Sequence, residues 1–277
     1  MNGGTAINKE LSAEEFTELR DFVYQKSGMY FPVNRKSFLE KIVIRRLQLL
    51  SLPDFPSYLR ILRLELQQEE LLALFNDVTI NETYFFRDQP QLDALRSEVL
   101  PSLTTAGKKR INLLSAGCSS GEEPFTLSII LREHFPQLDF NILAVDISSR
   151  MIELARQARY GDYAVRFVPE RLQNKYFTLD DKSRVLRPEF RDRVSFQQLN
   201  LLDIQSRLAG NKFDIIFCRY VLIYFDLESK RRVVEALNNL LNPGGYLVLG
   251  NSEALFMVTS AFKLLHSPSA IIYRKET

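Results

Sequence analysis

Apolar positions recur at helical spacing through the first third of the chain and give way to short, mostly apolar runs after Gly107. Ser12 stands three residues before Glu15, at the head of an apolar-periodic stretch. That spacing predicts a capping box, in which hydroxyl and carboxylate each satisfy a backbone N–H of the first turn. Phe16, Leu19, Phe22 and Val23 then fall on one helical face. A second helix is predicted over Ser37 to Leu50, with Phe38, Ile42 and Leu49 among its apolar positions. Lys36, Lys41, Arg45 and Arg46 occupy its other side. Phe55 to Leu64 and Gln67 to Val78 predict two further helices, so residues 1–90 read as a small all-α bundle.

After Gly107-Lys108-Lys109-Arg110 the grammar changes. Apolar runs at Ile111 to Leu114, Phe140 to Val145, Phe213 to Cys218 and Tyr246 to Leu249 alternate with helical stretches. Those helices are expected over Glu122 to Phe135, Met151 to Arg159 and Glu228 to Leu241. Short buried strands separated by helices imply a parallel sheet covered on both faces. Residues 91–277 therefore read as a doubly wound, Rossmann-like α/β domain. Val194 to Leu199 is a further possible strand. The segment 167–196 breaks the rhythm: Phe177, Val185 and Leu186 flank Asp180-Asp181-Lys182-Ser183, which suggests a hairpin inserted as a small β-subdomain.

Bulk properties narrow the class. With 45% apolar and 25% charged residues, the 277-residue chain can bury an ordinary core and needs no covalent staple. The 36 basic and 34 acidic residues leave a formal charge of +2, without the basic excess of a dedicated nucleic-acid binder. Cys118 and Cys218 each lie in or beside an apolar run, which argues against a disulfide framework and for a reducing cytoplasm. His134 and His266 form no zinc-like spacing, and no metal is expected. Met1 to Glu10 is polar, so neither a signal peptide nor a membrane span is expected there.

The chemistry concentrates where the first strand meets a helix, at Ser115-Ala116-Gly117-Cys118-Ser119-Ser120-Gly121-Glu122-Glu123-Pro124. Small residues permit close backbone approach, and Gly121 eases the turn into the helix. Pro124 suits a first helical turn. A dinucleotide would seat its pyrophosphate at this helix start, yet Glu122 and Glu123 would repel it. S-adenosylmethionine has no phosphate and carries a positive sulfonium, so carboxylates suit it. The alternative is that both glutamates serve the helix dipole and face water. Asp146, ending the second strand, stands where such folds hydrogen-bond ribose hydroxyls; it also fits as a cap of the following helix. Strand ends should add Asn200, Leu201, Arg219 and Tyr220 to the same crevice.

Three long segments resemble the chemoreceptor glutamate methyltransferases of the CheR family. Asn81-Glu82-Thr83-Tyr84-Phe85-Phe86-Arg87 is similar to the family's NET-x-FFR signature, and Ser115 to Pro124 to its glycine loop. Asp214 to Asp226 is similar to its strand segment ending in IYFD. Asn242-Pro243-Gly244-Gly245 and Gly250-Asn251-Ser252-Glu253 extend the likeness, which runs from about Leu11 to Arg274. The resemblance implies an α/β methyltransferase domain with a small β-subdomain, preceded by a helical domain that docks the receptor. It implies S-adenosylmethionine as cofactor and S-adenosylhomocysteine as product. Asn81, Thr83 and Arg87 would touch the cofactor, as would Gly117 in the loop. Glu123 would meet it, Asp146 would hold its ribose, and Asn200 with Leu201 its adenine. Arg219 and Tyr220 would line the methionine end, with Arg87 and Tyr224 beside the transferred methyl. Tyr220 replaces the family's usual Asn. The hairpin's short turn lacks glycine, which suggests independence from a receptor's C-terminal pentapeptide.

Ester formation of this kind is an in-line attack by a carboxylate that is already ionised at neutral pH, so no general base is required. Positioning is then the main contribution, worth about 7–11 kcal/mol. Arg87 would steer the carboxylate, or else form an inter-domain ion pair; Tyr224 would donate to it, or else be a core aromatic. Lys36, Lys41, Arg45 and Arg46 would meet acidic cytoplasmic helices of methyl-accepting chemoreceptors, or simply be solvated. The expected protein is a cytoplasmic monomer that binds neither nucleic acid nor membrane. Rival readings are a nicotinamide dehydrogenase, a nucleic-acid methyltransferase, and a cofactor-binding regulator without transfer activity.

Overall fold

A computed structural model describes residues 10–64, 68–266 and 270–276. Residues 1–9 and the predicted helix start at Gln67 lie outside the described residues. The chain forms two compact units, Met1–Ile80 with Tyr224–Asp226, and Asn81–Ile223 with Leu227–Thr277.

The first unit is helical: α1 (Ala13–Ser27), α2 (Lys36–Leu49), α3 (Phe55–Arg63) and α4 (Gln68–Val78). Both halves of the capping box at Ser12 and Glu15 are made, and Gly28 closes α1 in the left-handed conformation that glycine adopts without strain. Phe16, Leu19, Phe22 and Val23 are all buried, as their spacing predicts. In α2 the buried set is Leu39, Ile42, Val43 and Leu47, whereas Leu49 is 61% exposed because it lies in the last turn, past the packed stripe. A polar interior ties the helices together. Arg46 grips Glu70 with two nitrogens, and the buried Tyr58 hydroxyl donates to Glu70 at 2.9 Å. The short segment 224–226 packs here too: Tyr30 N–H donates to the Tyr224 carbonyl at 2.8 Å, and the Tyr24 hydroxyl to Asp226 at 3.0 Å.

The second unit begins at Asn81 rather than near Pro90. The sequence places the boundary too late because Phe85, fully buried, inserts edge-on against Tyr160 and Phe177 and fixes the preceding segment to the α/β core. Helices α5 (Gln89–Ala94) and α6 (Leu100–Thr105), joined by a π turn, precede β1 (Arg110–Ala116) and α7 (Glu122–His134). Then follow β2 (Asp139–Asp146), α8 (Ser149–Gln157), β3 (Arg159–Tyr160), α9 (Asp162–Val165), α10 (Glu170–Tyr176), β4 (Phe177–Asp180), β5 (Ser183–Leu186) and β6 (Val194–Gln198). The chain ends with α11 (Ile204–Arg207), β7 (Phe213–Cys218), α12 (Leu227–Leu240), β8 (Leu241–Leu249), β9 (Phe262–His266) and β10 (Ile271–Lys275).

Seven strands form one sheet in the order β6-β2-β1-β7-β8-β10-β9. The first five run parallel, and β10 and β9 add antiparallel at the far edge. Every residue of β7 is buried, as expected of a strand covered on both faces. The strand order reverses between β1 and β7, which places a crevice at their carboxyl ends. The inserted subdomain is a three-stranded antiparallel sheet, β3-β5-β4. It spans 159–186 rather than the expected 167–196. Arg159–Tyr160 supplies its third strand, while Val194–Gln198 pairs parallel to β2 as the edge of the main sheet. Two-residue strands carry too little periodicity to be read from sequence.

Candidate active site

The loop after β1 turns into α7 through three left-handed residues, Gly117 (φ 85°), Ser119 (φ 48°) and Gly121 (φ 94°). A Cβ on Gly117 would lie 2.2 Å from Val221 Cγ2, so its smallness serves the packing of the loop after β7. The N–H groups of Gly117 and Cys118 both donate to the Val145 carbonyl, at 2.8 and 3.0 Å, and so pin this loop to the end of β2.

Neither loop glutamate faces water. Glu122 is 3% exposed, accepts from the Ser120 hydroxyl at 2.8 Å, and is pushed up to a pKa of about 7 by burial. Glu123 accepts from the Ser115 hydroxyl on Oε1 and from Arg219 Nε on Oε2, each at 2.6 Å. Asp146 is buried at the end of β2. Its oxygens accept from Ser119 N–H and Ser148 N–H, both at 2.8 Å, and burial raises its pKa against those hydrogen bonds. The cap of α8 is Ser148, whose hydroxyl accepts from Met151 N–H, so Asp146 is not the cap. With Ile147 N–H as a third backbone donor, the carboxylate still has lone-pair capacity for a ligand hydroxyl. The thiol of Cys118 senses the resulting field: burial raises its pKa first, and the carboxylates of Asp146, Glu123 and Glu122 raise it further. The loop therefore gathers three carboxyl groups around Cys118.

Arg219, extending from the end of β7 with its side chain 4% exposed, donates through Nη1 to the Arg87 carbonyl at 2.8 Å and to Asp88 at 3.4 Å. With Nε on Glu123, only Nη2 takes no acceptor among the described residues. Tyr220, at φ 58°, donates its hydroxyl to Asp88 at 2.6 Å and its N–H to Glu253 at 2.7 Å. Glu253 also accepts from Gly250 N–H at 2.9 Å, so one buried carboxylate ties the loops after β7 and β8 together. The guanidinium of Arg87 stacks 3.9 Å from the centre of the Tyr220 ring and donates to the Glu82 carbonyl at 2.7 Å.

Asn81 joins the crevice through its carbonyl, which accepts from the Ser119 hydroxyl at 3.2 Å; Thr83 is half-buried beside it. Leu199 N–H donates to the Asp146 carbonyl at 2.8 Å, which brings Asn200 and the buried Leu201 past the end of β2. Asn200 also caps the turn that follows by accepting from Leu202 N–H. Tyr224 belongs to the helical unit, where its hydroxyl donates to the Ile80 carbonyl at 3.4 Å. Of the four basic docking candidates, Lys41 and Arg45 are exposed and Lys36 is half-buried. Arg46 is a correction: with its side chain 13% exposed and clamped on Glu70, it is a structural residue of the bundle. Ser115, Asp88 and Glu253 escaped the sequence reading as site residues, although Ser115 and Glu253 lie inside motifs already singled out.

A doubly wound sheet with a glycine loop rich in carboxyl groups at its switch point, followed by a ribose-type acid, is the arrangement of an S-adenosylmethionine-binding methyltransferase domain. The side chains fit that cofactor: Asp146 can accept from a ribose hydroxyl, and Arg219 Nη2 offers a donor edge to a carboxylate. Comparison with known proteins agrees. Residues 14–79 match the CheR methyltransferase all-alpha domain, and residues 81–271 the CheR methyltransferase SAM binding domain. Chemotaxis protein methyltransferase 2 of Vibrio cholerae is 39% identical over 253 residues, covering 90% of this chain and 88% of its own. Chemotaxis protein methyltransferase 1 of Pseudomonas aeruginosa is 40% identical over 223 residues, covering 76% and 80% respectively. This chain belongs to the CheR methyltransferase family, and its cofactor is S-adenosylmethionine. No described helix is long and apolar enough to cross a membrane.

Proposed function

We propose that the protein methylates glutamate side chains on the cytoplasmic helices of bacterial chemoreceptors, forming methyl esters during chemotaxis adaptation. The observation that carries this reading is Arg87. Its guanidinium is half-exposed, steadied by the Tyr220 ring, and paired with no carboxylate within 4 Å among the described residues. A cation held in place without a counterion attracts an incoming carboxylate, yet its protein hydrogen bond limits how tightly it can quench that carboxylate's charge. Matched relatives are named chemotaxis protein methyltransferases, which supports the pathway.

The bound cofactor supplies an electrophilic methyl on positive sulphur. Glu123 and Arg219 hold its amino-acid end, Asp146 its ribose, and Asn200 with Leu201 its adenine, while Asn81 and Thr83 flank it. Arg87 steers the substrate carboxylate, and Tyr224 donates to it in exchange for its bond to the Ile80 carbonyl. A glutamate is ionised at neutral pH, so no side chain need remove a proton. Lys36, Lys41 and Arg45 assist encounter with acidic receptor helices, an effect that salt weakens. The protein acts as a cytoplasmic monomer. Its glycine-free turn at Asp181-Lys182 favours action without a receptor pentapeptide.

Methyl transfer from labelled cofactor to receptor cytoplasmic fragments tests this reading through base-labile label. Arg87→Ala is expected to abolish most transfer, with S-adenosylhomocysteine binding weakened but still measurable; equal transfer by the variant would place the active site elsewhere. Binding of the cofactor with no transfer by the parent protein would favour the regulatory reading.

A further inference from the structure

A second guanidinium stands beside Arg87 and plays no part in the site described above. Arg166 lies just past α9, and its guanidinium carbon sits 3.6 Å from the centre of the Tyr163 ring, 3.9 Å from that of Tyr84 and 4.7 Å from that of Phe167. Its one protein hydrogen bond goes to the Tyr163 carbonyl, and it pairs with no carboxylate within 4 Å among the described residues. Arg166 itself is exposed, and so are Tyr163 (59%) and Phe167 (57%). Three rings around a guanidinium restrict its rotamers and leave its outer N–H groups toward solvent, which lowers the entropy lost when an anion is captured.

The cluster is tied to the motif that carries Arg87. The Tyr163 hydroxyl donates to Glu82 at 3.1 Å, and the Tyr84 ring that Arg166 covers lies 5.6 Å from the guanidinium carbon of Arg87. The same ring therefore neighbours two guanidinium groups, neither of them paired with a carboxylate within 4 Å among the described residues. Their guanidinium carbons are no further apart than those two ring distances laid end to end. Acidic side chains one turn apart on a helix have Cβ atoms about 5–6 Å apart, and their carboxylates can splay further. The spacing suits two carboxylates presented on one face of a helical substrate.

We propose that Arg166 reads a second acidic side chain of the substrate, about one helical turn from the glutamate that Arg87 receives. The inference rests on the proposed function, and it names what distinguishes a good substrate segment from a poor one. Tyr84, Tyr163 and Phe167 act as positioning residues that hold the Arg166 guanidinium, and their exposed faces cover the apolar stem of the acidic residue.

The test is steady-state methylation of a chemoreceptor cytoplasmic fragment by the full-length protein and by Arg166→Gln and Arg166→Lys. A matched set of fragments carries Glu→Gln or Asp→Asn changes one turn to either side of the methylated glutamate. Loss of a bidentate charge-assisted pair should lower kcat/KM about tenfold, mainly through KM, for Arg166→Gln on the unaltered fragment. Arg166→Lys should recover part of the loss. On the fragment lacking the relevant acid, parent and Arg166→Gln should agree within about twofold, as a broken pairwise coupling requires. S-adenosylhomocysteine affinity, measured by calorimetry, should be the same in all three proteins. An equal loss on both fragments, or no loss on the unaltered one, overturns the inference. A parent protein that methylates no fragment overturns the functional reading itself, a separate outcome.

Discussion

Replacing Arg219 by Met removes the cation paired with Glu123 while keeping an unbranched apolar stem. In the parent protein Arg219 and Glu123 are 4% and 11% exposed, with Nε and Oε2 2.6 Å apart. Removing one partner of such a pair leaves a buried charge uncompensated, which costs about 3–5 kcal/mol. Glu123 keeps the Ser115 hydroxyl and Asp88 keeps the Tyr220 hydroxyl, so the lower end of that range applies. For a domain of this size, about 3 kcal/mol lowers Tm by roughly 6–12 °C. The variant also loses the Nη2 donor edge assigned to the cofactor's carboxylate. A charge-assisted bond is worth about 1.5–3 kcal/mol, so Kd for S-adenosylhomocysteine should rise about 10- to 150-fold. Thermal unfolding and calorimetric titration read the two effects separately. In Glu123→Gln/Arg219→Met the unpaired charge is gone, so this double variant should be more stable than Arg219→Met alone. A Tm within about 2 °C of the parent and an unaltered Kd would refute the account of this pair.

Glu122→Gln should change how stability depends on pH. Folded, Glu122 holds its proton up to about 7; unfolded, it releases it near its ordinary value of 4.5. Its contribution is therefore complete below about pH 4.5 and is lost as pH rises to about 7, at most about 3 kcal/mol. Denaturant melts should show the variant gaining on the parent across that window and no further above it. Gly117→Ala combines a φ of 85° with a 2.2 Å clash against a stiff β-branched side chain, so it should cost about 2–4 kcal/mol. Adding Val221→Ala should recover the packing part alone, as read by the same melts. Tyr220→Asn removes the stacked ring under Arg87 and the hydroxyl on Asp88. Loss of a partly exposed cation–π contact predicts about a threefold to tenfold lower kcat. Kd for S-adenosylhomocysteine should change by less than about twofold, because the backbone bond from residue 220 to Glu253 survives.

Local rules carried much of the molecule. The capping box at Ser12, the buried stripe of α1, and the fully buried β7 follow from side-chain chemistry and periodicity over a few residues, and all three were legible. So was the cofactor class, through the two glutamates at the helix start, although folding then buries Glu122 and pairs Glu123 with Arg219. Features that depend on distant partners were not legible. Nothing local marks Arg46 as a bundle residue instead of a docking cation, since its partner Glu70 comes from another helix. Val194–Gln198 becomes an edge of the main sheet only by pairing with β2, and the unit boundary falls at Asn81 because Phe85 finds a pocket between Tyr160 and Phe177.

The candidate site divides along the same line. By itself the sequence determined which residue types stand at the strand ends: the glycine loop, Asp146, Arg219 and the segment carrying Arg87. Tertiary structure alone decided their electrostatic state. It turned Glu122 inward toward neutrality, neutralised Glu123 with Arg219, relieved Asp146 of capping duty, and set Arg87 and Arg166 near one ring with no paired carboxylate among the described residues. The physical reason is that charge state and hydrogen-bond occupancy depend on burial and on partners brought together by folding, whereas helix caps and apolar periods are settled within a few residues of chain.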